Sequence, residues 1–192
     1  MKLHDLYTGC RTYRKFLQKE IPAEVYSSIL NNLRITHTAN NRQLLRFCIV
    51  QSEENRRQMN TLVHFAALLP RELADPKPDE EPAGYIVITQ PDPKGITDID
   101  AGIAAQVICC SAWEQGVGSC IMMNFDHEKV EKLIGIREGR KAVLVIALGY
   151  PAHESTITDV GSDGSLKYHV DPDDNSHYYV PKLSVKELCR FI

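Results

Sequence analysis

The stretch that decides the fold runs from Asp98 to Gln115 and reads DIDAGIAAQVICCSAWEQ. Apolar and small residues cover almost every face of the helix that this stretch predicts, and a helix that is apolar all round is a buried one. Thr97 or Asp98 can cap its first turn, and Gly116 can end it. We therefore expect a helix that runs through the middle of the fold or along a subunit interface.

Short apolar runs on both sides of this helix predict strands. They cover residues 46–51, 85–89, 119–123 and 142–148. The order of strands and helices is not a regular βαβαβ series, and no GxGxxG follows a strand. The pattern therefore indicates an α+β or α/β protein with a mixed sheet, and it disfavours a Rossmann dinucleotide-binding unit.

Three further helices follow from apolar spacing and capping residues. One begins at Pro22, one runs from Glu53 to Leu69, and Asp126 caps a third that ends at Gly135. The inward residues of the second would be Met59, Leu62, Val63, Ala66 and Leu69. An S-x-x-E capping box at residues 184–187 predicts a last short helix, and the polar segments 71–83 and 152–180 read as loops or lids.

Composition excludes several classes of protein. The chain has 192 residues, of which 43% are hydrophobic and 24% charged, so it can bury a core, and its net charge of -3 argues against nucleic-acid binding. It has no apolar run of membrane-spanning length, and its first residues lack the apolar core of a signal peptide, so we expect a cytoplasmic protein. Its six cysteines form no CxxC pair, and Cys48, Cys109 and Cys120 read as small buried hydrophobes.

Two polar segments carry candidate chemistry. Arg11, Arg14 and Lys15 place three cations within five residues, and a helical turn would put Arg11 and Arg14 on one side with the Thr12 hydroxyl between them. Such a group matches a phosphate, although a solvated helix end is the simpler interpretation. The amides of residues 40–43 could bind the edge of a planar heterocycle, or they could form an ordinary turn.

Two other segments are less specific. A glycine-punctuated turn at Gly116 and Gly118 leads into a strand that breaks at Asn124, where free backbone N–H groups could face a ligand. The acidic residues at 171–175 resemble the start of a calcium loop, but Ser176 and Lys182 stand where the loop needs Gly and Glu. We therefore expect no metal site, and no G-x-S-x-G or activated cysteine predicts a nucleophile.

Taken in order, these segments resemble the nitroreductase family of flavin mononucleotide (FMN) enzymes. Residues 10–16 are similar to its opening R-R-S-x-R-x-F motif, and residues 37–47 to its P-S-x-x-N-x-Q-P-W segment. Residues 100–120 resemble its central helix and the turn that follows. Residues 147–151 resemble the end of the next strand, and residues 180–182 resemble a late V-P-K-R motif. The resemblance spans nearly the whole chain.

The resemblance implies a fold and an activity. The fold would be α+β with α/β/α layers, in which a mixed, mostly antiparallel sheet is flanked by helices and a central helix is buried. Residues 1–192 would form one domain, and segment 152–192 would extend over the core or the partner subunit. The activity would be ping-pong hydride transfer from NAD(P)H to FMN and then to a small acceptor such as a nitroaromatic or a quinone.

The resemblance also implies roles for individual residues in a homodimer whose two sites lie at the subunit interface. Arg11, Thr12, Arg14 and Lys182 would hold the FMN phosphate and ribityl chain. Thr38, Asn41 and Gln43 would approach the isoalloxazine, often from the partner. Backbone groups of Met122, Met123 and Asn124 would lie beside the ring, and no side chain need act as a catalytic acid or base.

The chain departs from the family pattern at several positions. Cys10 replaces an arginine, His37 a proline, Leu44 and Leu45 a Pro-Trp pair, and Leu183 a second late cation. With two phosphate cations missing, we expect FMN binding that is weaker than is typical of the family. The departures also motivate two alternatives: a flavin- or ligand-binding protein without reductase activity, or a reductive dehalogenase-type member of the family.

Overall fold

The computed structural model describes residues 1–91 and 97–192. Its helices are α1 (Leu3–Gly9), α2 (Ala23–Arg34), α3 (Glu53–Asn60), α4 (Arg71–Ala74), α5 (Thr97–Glu114), α6 (His127–Leu133) and α7 (Val185–Leu188). Its strands are β1 (Phe16–Leu17), β2 (Arg46–Val50), β3 (Gly84–Pro91), β4 (Gly118–Met122), β5 (Arg140–Pro151), β6 (Glu154–Asp159), β7 (His169–Val170) and β8 (His177–Lys182). A single turn of 3-10 helix covers Ala39–Asn41.

β5 lies at the centre of an antiparallel sheet of five strands. β3 pairs along one edge of β5, and β2 pairs with the far edge of β3. β4 and β1 both pair with the other edge of β5. A second, small sheet is formed by β8, which pairs in parallel with β6 and antiparallel with β7. The prediction of mostly antiparallel strand pairing is therefore confirmed, and the parallel pair of strands lies in the small sheet.

Helices cover both faces of the central sheet. Because side chains alternate along a strand, neighbouring residues of β3 and β5 enter different cores. Ile86 and Ile146 pack with residues of α2 and α5 on one face. Val87 and Val145 pack with Met59 of α3 and with Val130 of α6 on the other. Both faces of these strands are buried, which explains their unbroken apolar runs and confirms the layered α+β fold.

The central helix α5 begins and ends one residue before its predicted bounds, but only one of its two faces is buried. Ala101, Ala104 and Ile108 are buried against the sheet and α2. Ile99 and Ile103, on the opposite side, are 66% and 38% exposed. Asp98 and Gln106 are also exposed, so the apolar part of this side consists of the two isoleucines, and covering them would remove apolar surface from water.

The prediction of a helix from Glu53 to Leu69 is wrong beyond α3. The helix ends at Asn60, and the chain then pairs with the segment after β4, where Val63 forms an antiparallel bridge with Phe125. The N–H of His64 donates to the carbonyl of Asn124 at 3.0 Å. Tertiary hydrogen bonds thus replace those that would have continued the helix. Met59 and Val63 are still buried, as expected.

Several smaller elements differ from the sequence predictions or confirm them. The segment read as loop or lid at 152–180 holds β6, β7 and the start of β8, and α4 lies inside the predicted loop 71–83. Asp126 caps α6 by accepting the N–H of Lys129, and the capping box of Ser184 and Glu187 begins α7, both as predicted. Among the described helices, none is long and apolar enough to cross a membrane.

Candidate functional site

A cleft of about 370 Å³ lies where the segment after α1 meets α5, β4 and the small sheet. Four of its lining residues are among those predicted to bind a phosphate and its chain: Arg11, Thr12, Arg14 and Lys182. Its other lining residues are Cys10, Gln106, Cys109, Ser119, Ile121, Tyr168 and Val180. Residues 170 positions apart in the sequence therefore meet in one cleft, and none of the described lining residues is acidic.

Arg14 is the most unusual residue of this cleft. Its side chain is only 9% exposed, and its Nε has no hydrogen-bond partner among the described residues. The guanidinium lies over the ring of Tyr168 at 4.5 Å from the centroid and near that of Tyr178 at 5.4 Å. Cation–π contacts of this kind hold a guanidinium without neutralising it. A buried guanidinium with an unpaired donor at the wall of a cleft could hydrogen-bond an anion that enters the cleft.

Of the other two cations in residues 11–15, Arg11 lines the cleft and Lys15 does not. Arg11 is held by two backbone carbonyls, with Nη2 2.9 Å from the oxygen of Tyr7 and Nε 3.1 Å from that of Cys10. Lys15 pairs with Glu80 at 3.8 Å and donates to the carbonyl of Asn175. The three cations of residues 11–15 therefore do not act as one group: Arg11 and Arg14 line the cleft, and Lys15 does not.

The prediction that Arg11 and Arg14 share a helical turn is wrong. The first helix ends at Gly9, and Thr12 forms a parallel bridge with Ser119 of β4. The N–H of Tyr13 donates to the carbonyl of Ser119 at 2.9 Å, which ties the segment to the sheet. Both arginines reach the cleft because the chain is anchored along β4. Their separation of three residues, which we expected to place them on one side of a helix, does not bring them together.

The glycine turn before β4 allows this anchoring. Gly116 has φ +74°, a left-handed conformation that favours glycine. At Gly118 an added Cβ would lie 2.7 Å from Cδ2 of Tyr13 and 2.9 Å from Cγ of Pro151. Only a residue without a side chain lets the Tyr13 ring pack there, and Tyr13 then stacks on Trp113 at 5.2 Å. The turn thus positions the segment that carries Arg14.

The predicted amide residues lie apart from this cleft. Thr38 and Gln43 line a second cleft of about 450 Å³ between α2 and the first half of α5. Gln43 donates from Nε2 to Oδ1 of Asn41 at 3.1 Å, and both residues have positive φ. Oδ1 of Asp100 accepts the N–H of Ala39 at 2.9 Å, which fixes the loop to α5. Positive φ at residues other than glycine marks a loop held in place by its surroundings.

The third predicted group lies at the end of β4. The Met122 side chain is buried in the core, whereas Met123 is 74% exposed and Asn124 is exposed beside it. The carbonyl of Asn124 accepts the N–H of His64, so the backbone at the strand end is held. Within one chain the structure brings together the Arg11–Arg14 segment and Lys182, and it leaves the amide loop in a different cleft.

Three residues of the site were missed from the sequence. His153 accepts the backbone N–H of Arg14, and Tyr168 and Tyr178 lie against the Arg14 guanidinium. All three lie in the late segment that we read as polar and weakly patterned. The tyrosines in this polar segment were the available signal. Tyrosine is often partly buried, so its presence could have indicated that the segment packs against the core.

The cysteines at the cleft bring no charge to it. Burial, together with the neighbouring Cys110, raises the pKa of Cys10 to about 12. Burial likewise raises the pKa of Cys109 to about 11. Both thiols are therefore neutral at physiological pH, so Cys10 supplies neither a cation nor an anion where the resemblance leads us to expect an arginine.

The acidic loop after β7 uses its carboxylates locally. Oδ1 of Asp171 accepts the N–H of Asp173, Oδ1 of Asp174 accepts from Ser176, and the hydroxyl of Tyr179 donates to Oδ2 of Asp171. Over residues 1–91 and 97–192, no group of three or more His, Cys, Asp or Glu residues is arranged to hold a metal ion.

Comparison with known proteins identifies the family. The family model described as the nitroreductase family matches residues 8–150, so the chain belongs to the nitroreductase family. Among the curated proteins, none matches this sequence.

Solved structures show the same fold at low sequence identity. A nitroreductase family protein from Clostridium novyi NT is 17% identical, with 97% of this chain and 98% of that chain covered and a TM-score of 0.68. An FMN-dependent nitroreductase from Clostridium difficile R20291 is 20% identical, with 80% and 90% covered and a TM-score of 0.66. The NADPH:FMN oxidoreductase from Vibrio harveyi, complexed with NAD+, is 20% identical, with 78% and 69% covered and a TM-score of 0.62.

Proposed function

We propose that this protein is an FMN-dependent oxidoreductase that takes reducing equivalents from NAD(P)H and passes them to a small acceptor such as a nitroaromatic or a quinone. The observation that carries the proposal is the buried guanidinium of Arg14, which has no acidic partner among the described residues. It lies in a cleft whose described lining residues include no Asp or Glu. Membership of the nitroreductase family supports the proposal, and so does the fold shared with proteins described as FMN-dependent.

The residues of the cleft fit the phosphate end of FMN. A phosphate would supply acceptors for the orphaned Nε of Arg14, and charge-assisted bonds to phosphate are among the strongest that proteins make. Arg11 and Lys182 add positive charge, and the Thr12 hydroxyl is exposed at the same cleft. We assign these four residues to the phosphate and ribityl chain. Neutral Cys10 and Leu183 stand where the family pattern has cations, and these two departures support weaker binding.

Bound FMN would supply the redox chemistry, by accepting a hydride from NAD(P)H and then reducing the acceptor in a ping-pong cycle. The residues of the chain bind and orient. Met122, Met123 and Asn124 would place backbone groups beside the ring. Support for this comes from the strand end itself, which is held by the hydrogen bond from the N–H of His64 to the carbonyl of Asn124. No described side chain is assigned as a proton donor, and water can protonate the product.

We propose that the protein acts as a homodimer with a site at each end of the interface. Two observations support this proposal. Thr38 and Gln43 line a cleft separate from that of Arg14, so in the proposed site they act on the partner's cofactor. Ile99 and Ile103 form an exposed apolar face on α5 that a second subunit would cover.

We also propose that residues 1–192 form one domain in which segment 152–192 extends over the core or the partner. The small sheet supports this proposal, because it brings Tyr168 and Lys182 to the cleft. A cytoplasmic location agrees with six cysteines that are all unpaired.

The direct test is a spectrum followed by a reductive titration. Purified protein is mixed with FMN, freed of excess cofactor, and titrated with NADH and NADPH without oxygen. We expect flavin absorbance that is bleached by at least one donor and restored by a nitroaromatic or a quinone. Protein that keeps no FMN at micromolar concentration would refute the proposal. Protein that binds FMN but is never bleached would favour a flavin-binding protein without reductase activity.

A second set of acceptors distinguishes the proposed function from that of a reductive dehalogenase-type member of the family. The reduced protein is offered a halogenated aromatic compound beside the nitroaromatic and the quinone, and halide release is measured. We expect reoxidation by the nitroaromatic or quinone and no halide. Halide release at a comparable rate would instead assign the protein to the dehalogenase-type members.

A further inference from the structure

We propose that His153 is a positioning residue that fixes Arg14 for the anionic end of the ligand in the cleft. The inference rests on the proposed function only for the identity of the ligand. His153 is 6% exposed and lies just after β5, and its role is not implied by any motif in the sequence. It lies beyond residue 150, where the match to the family model ends.

The hydrogen bonds of His153 define its tautomer. Nδ1 lies 3.0 Å from the carbonyl of Glu154, which can only accept, so Nδ1 carries the proton. Nε2 is then a bare acceptor, and it receives the backbone N–H of Arg14 at 2.8 Å. A neutral imidazole with this one tautomer satisfies both neighbours, whereas a protonated ring could not accept from Arg14.

Aromatic packing couples the ring to the Arg14 side chain. The His153 ring lies 4.4 Å from the Tyr178 ring and 5.2 Å from the Tyr13 ring. Tyr178 also lies 5.4 Å from the Arg14 guanidinium carbon, so one tyrosine contacts both residues. His153 therefore fixes the Arg14 backbone directly and its side chain through Tyr178.

The electrostatic environment keeps His153 neutral. Burial has the largest influence and lowers the pKa of His153 to about 4. The charges of Arg14 and Lys15 lower the pKa as well, whereas the hydrogen bond to the carbonyl of Glu154 and the charge of Glu80 raise it. Burial, with a smaller contribution from the neighbouring positive charge, thus keeps the ring in the neutral state in which it can accept from the Arg14 N–H. A neutral His153 adds no charge to the cleft, so the positive charge of Arg14 remains available to an anionic ligand.

The test compares two substitutions and two flavins. His153→Phe keeps a buried ring but removes the acceptor, and His153→Gln places an oxygen near the position of Nε2. FMN carries the phosphate that Arg14 would bind, whereas riboflavin does not. Affinities for both flavins are measured by fluorescence titration at one ionic strength, and thermal unfolding of the ligand-free variants checks that each is folded.

We expect His153→Phe to weaken FMN binding by roughly tenfold, because one buried hydrogen bond is worth about that factor, and to leave riboflavin within about twofold. His153→Gln should lie closer to the native protein. In an Arg14→Gln background the phenylalanine substitution should have little further effect on FMN, since coupled residues are not additive. Equal losses for FMN and riboflavin, or no loss for either, would overturn the inference.

A second readout does not depend on flavin. The exchange rate of the Arg14 backbone amide is measured in ligand-free protein by hydrogen–deuterium exchange. We expect faster exchange in His153→Phe than in His153→Gln. Unchanged exchange in the phenylalanine variant would refute the positioning role even if the protein binds no FMN, and failure of FMN binding in the native protein would refute the proposed function alone.

Discussion

Arg14 and Lys15 are adjacent cations that are both largely shielded from solvent, but they differ in their partners. Arg14 is buried and lacks an acidic partner among the described residues, while Lys15 pairs with Glu80 outside the cleft. This difference makes Lys15 a matched control for Arg14, because both substitutions remove one positive charge from the same segment.

At Arg14 we predict a selective loss of FMN affinity. Arg14→Gln should weaken FMN binding by about 10- to 100-fold, since charge-assisted hydrogen bonds in sheltered sites are worth roughly 1.5–3 kcal/mol. Lys15→Gln should leave FMN affinity within about threefold of native. Fluorescence titration at constant ionic strength gives both values, and similar losses in the two variants would contradict the assignment.

At His153 we predict a pH dependence of stability. The pKa of this residue is near 4 in the folded protein and ordinarily near 6.5. Between these values the unfolded chain binds a proton that the folded protein does not, so the free energy of unfolding falls as pH falls. The loss is at most about 3 kcal/mol between pH 7 and pH 4. Urea unfolding should show the stability difference between native protein and His153→Phe shrinking over this range, and a constant difference would contradict it.

At the scale of elements, strand β4 and its glycine turn connect packing to the site. Gly118 leaves room for Tyr13, and Tyr13 precedes the residue that carries the buried guanidinium. The same strand ends at the backbone groups proposed to lie beside the flavin. A change in the turn should therefore affect both stability and cofactor binding.

We predict that Gly118→Ala destabilises the protein by about 1–3 kcal/mol, because its methyl group would overlap Tyr13 and Pro151. FMN affinity should fall as well. The cost should be smaller in a Tyr13→Val background, where part of the overlap is relieved. Thermal and urea unfolding measure the effect, and an equal cost in both backgrounds would argue against the contact with Tyr13.

At the scale of the whole molecule, the exposed face of α5 and the separation of the two clefts point to assembly. Neither cleft contains all the residues assigned to the cofactor. A dimer that covers Ile99 and Ile103 would bury an apolar face and would let one subunit complete the other's site. Folding, assembly and cofactor binding would then be linked.

We predict that the native protein has twice the 21.7 kDa mass of one chain in solution. Ile103→Lys should give a monomer that binds FMN poorly, because a charge cannot be buried at that face without a partner. Leu17→Lys, at a comparably exposed position on β1, should remain dimeric. Light scattering with size-exclusion chromatography gives the mass, and a dimeric Ile103→Lys variant would refute this interface.

The sequence by itself determined four of the five strands of the central sheet, helix α5, and the caps at Asp126 and Ser184. It also marked Arg11 and Arg14 as candidate anion ligands, and the family resemblance added Lys182. Periodicity and capping are local, so they can be read without knowing what an element packs against. Only the tertiary structure decided that α3 ends at Asn60, that Lys15 turns away from Arg14, and that His153 holds the Arg14 backbone. The last of these contacts joins residues 139 positions apart, and a hydrogen bond over that separation leaves no pattern in either segment.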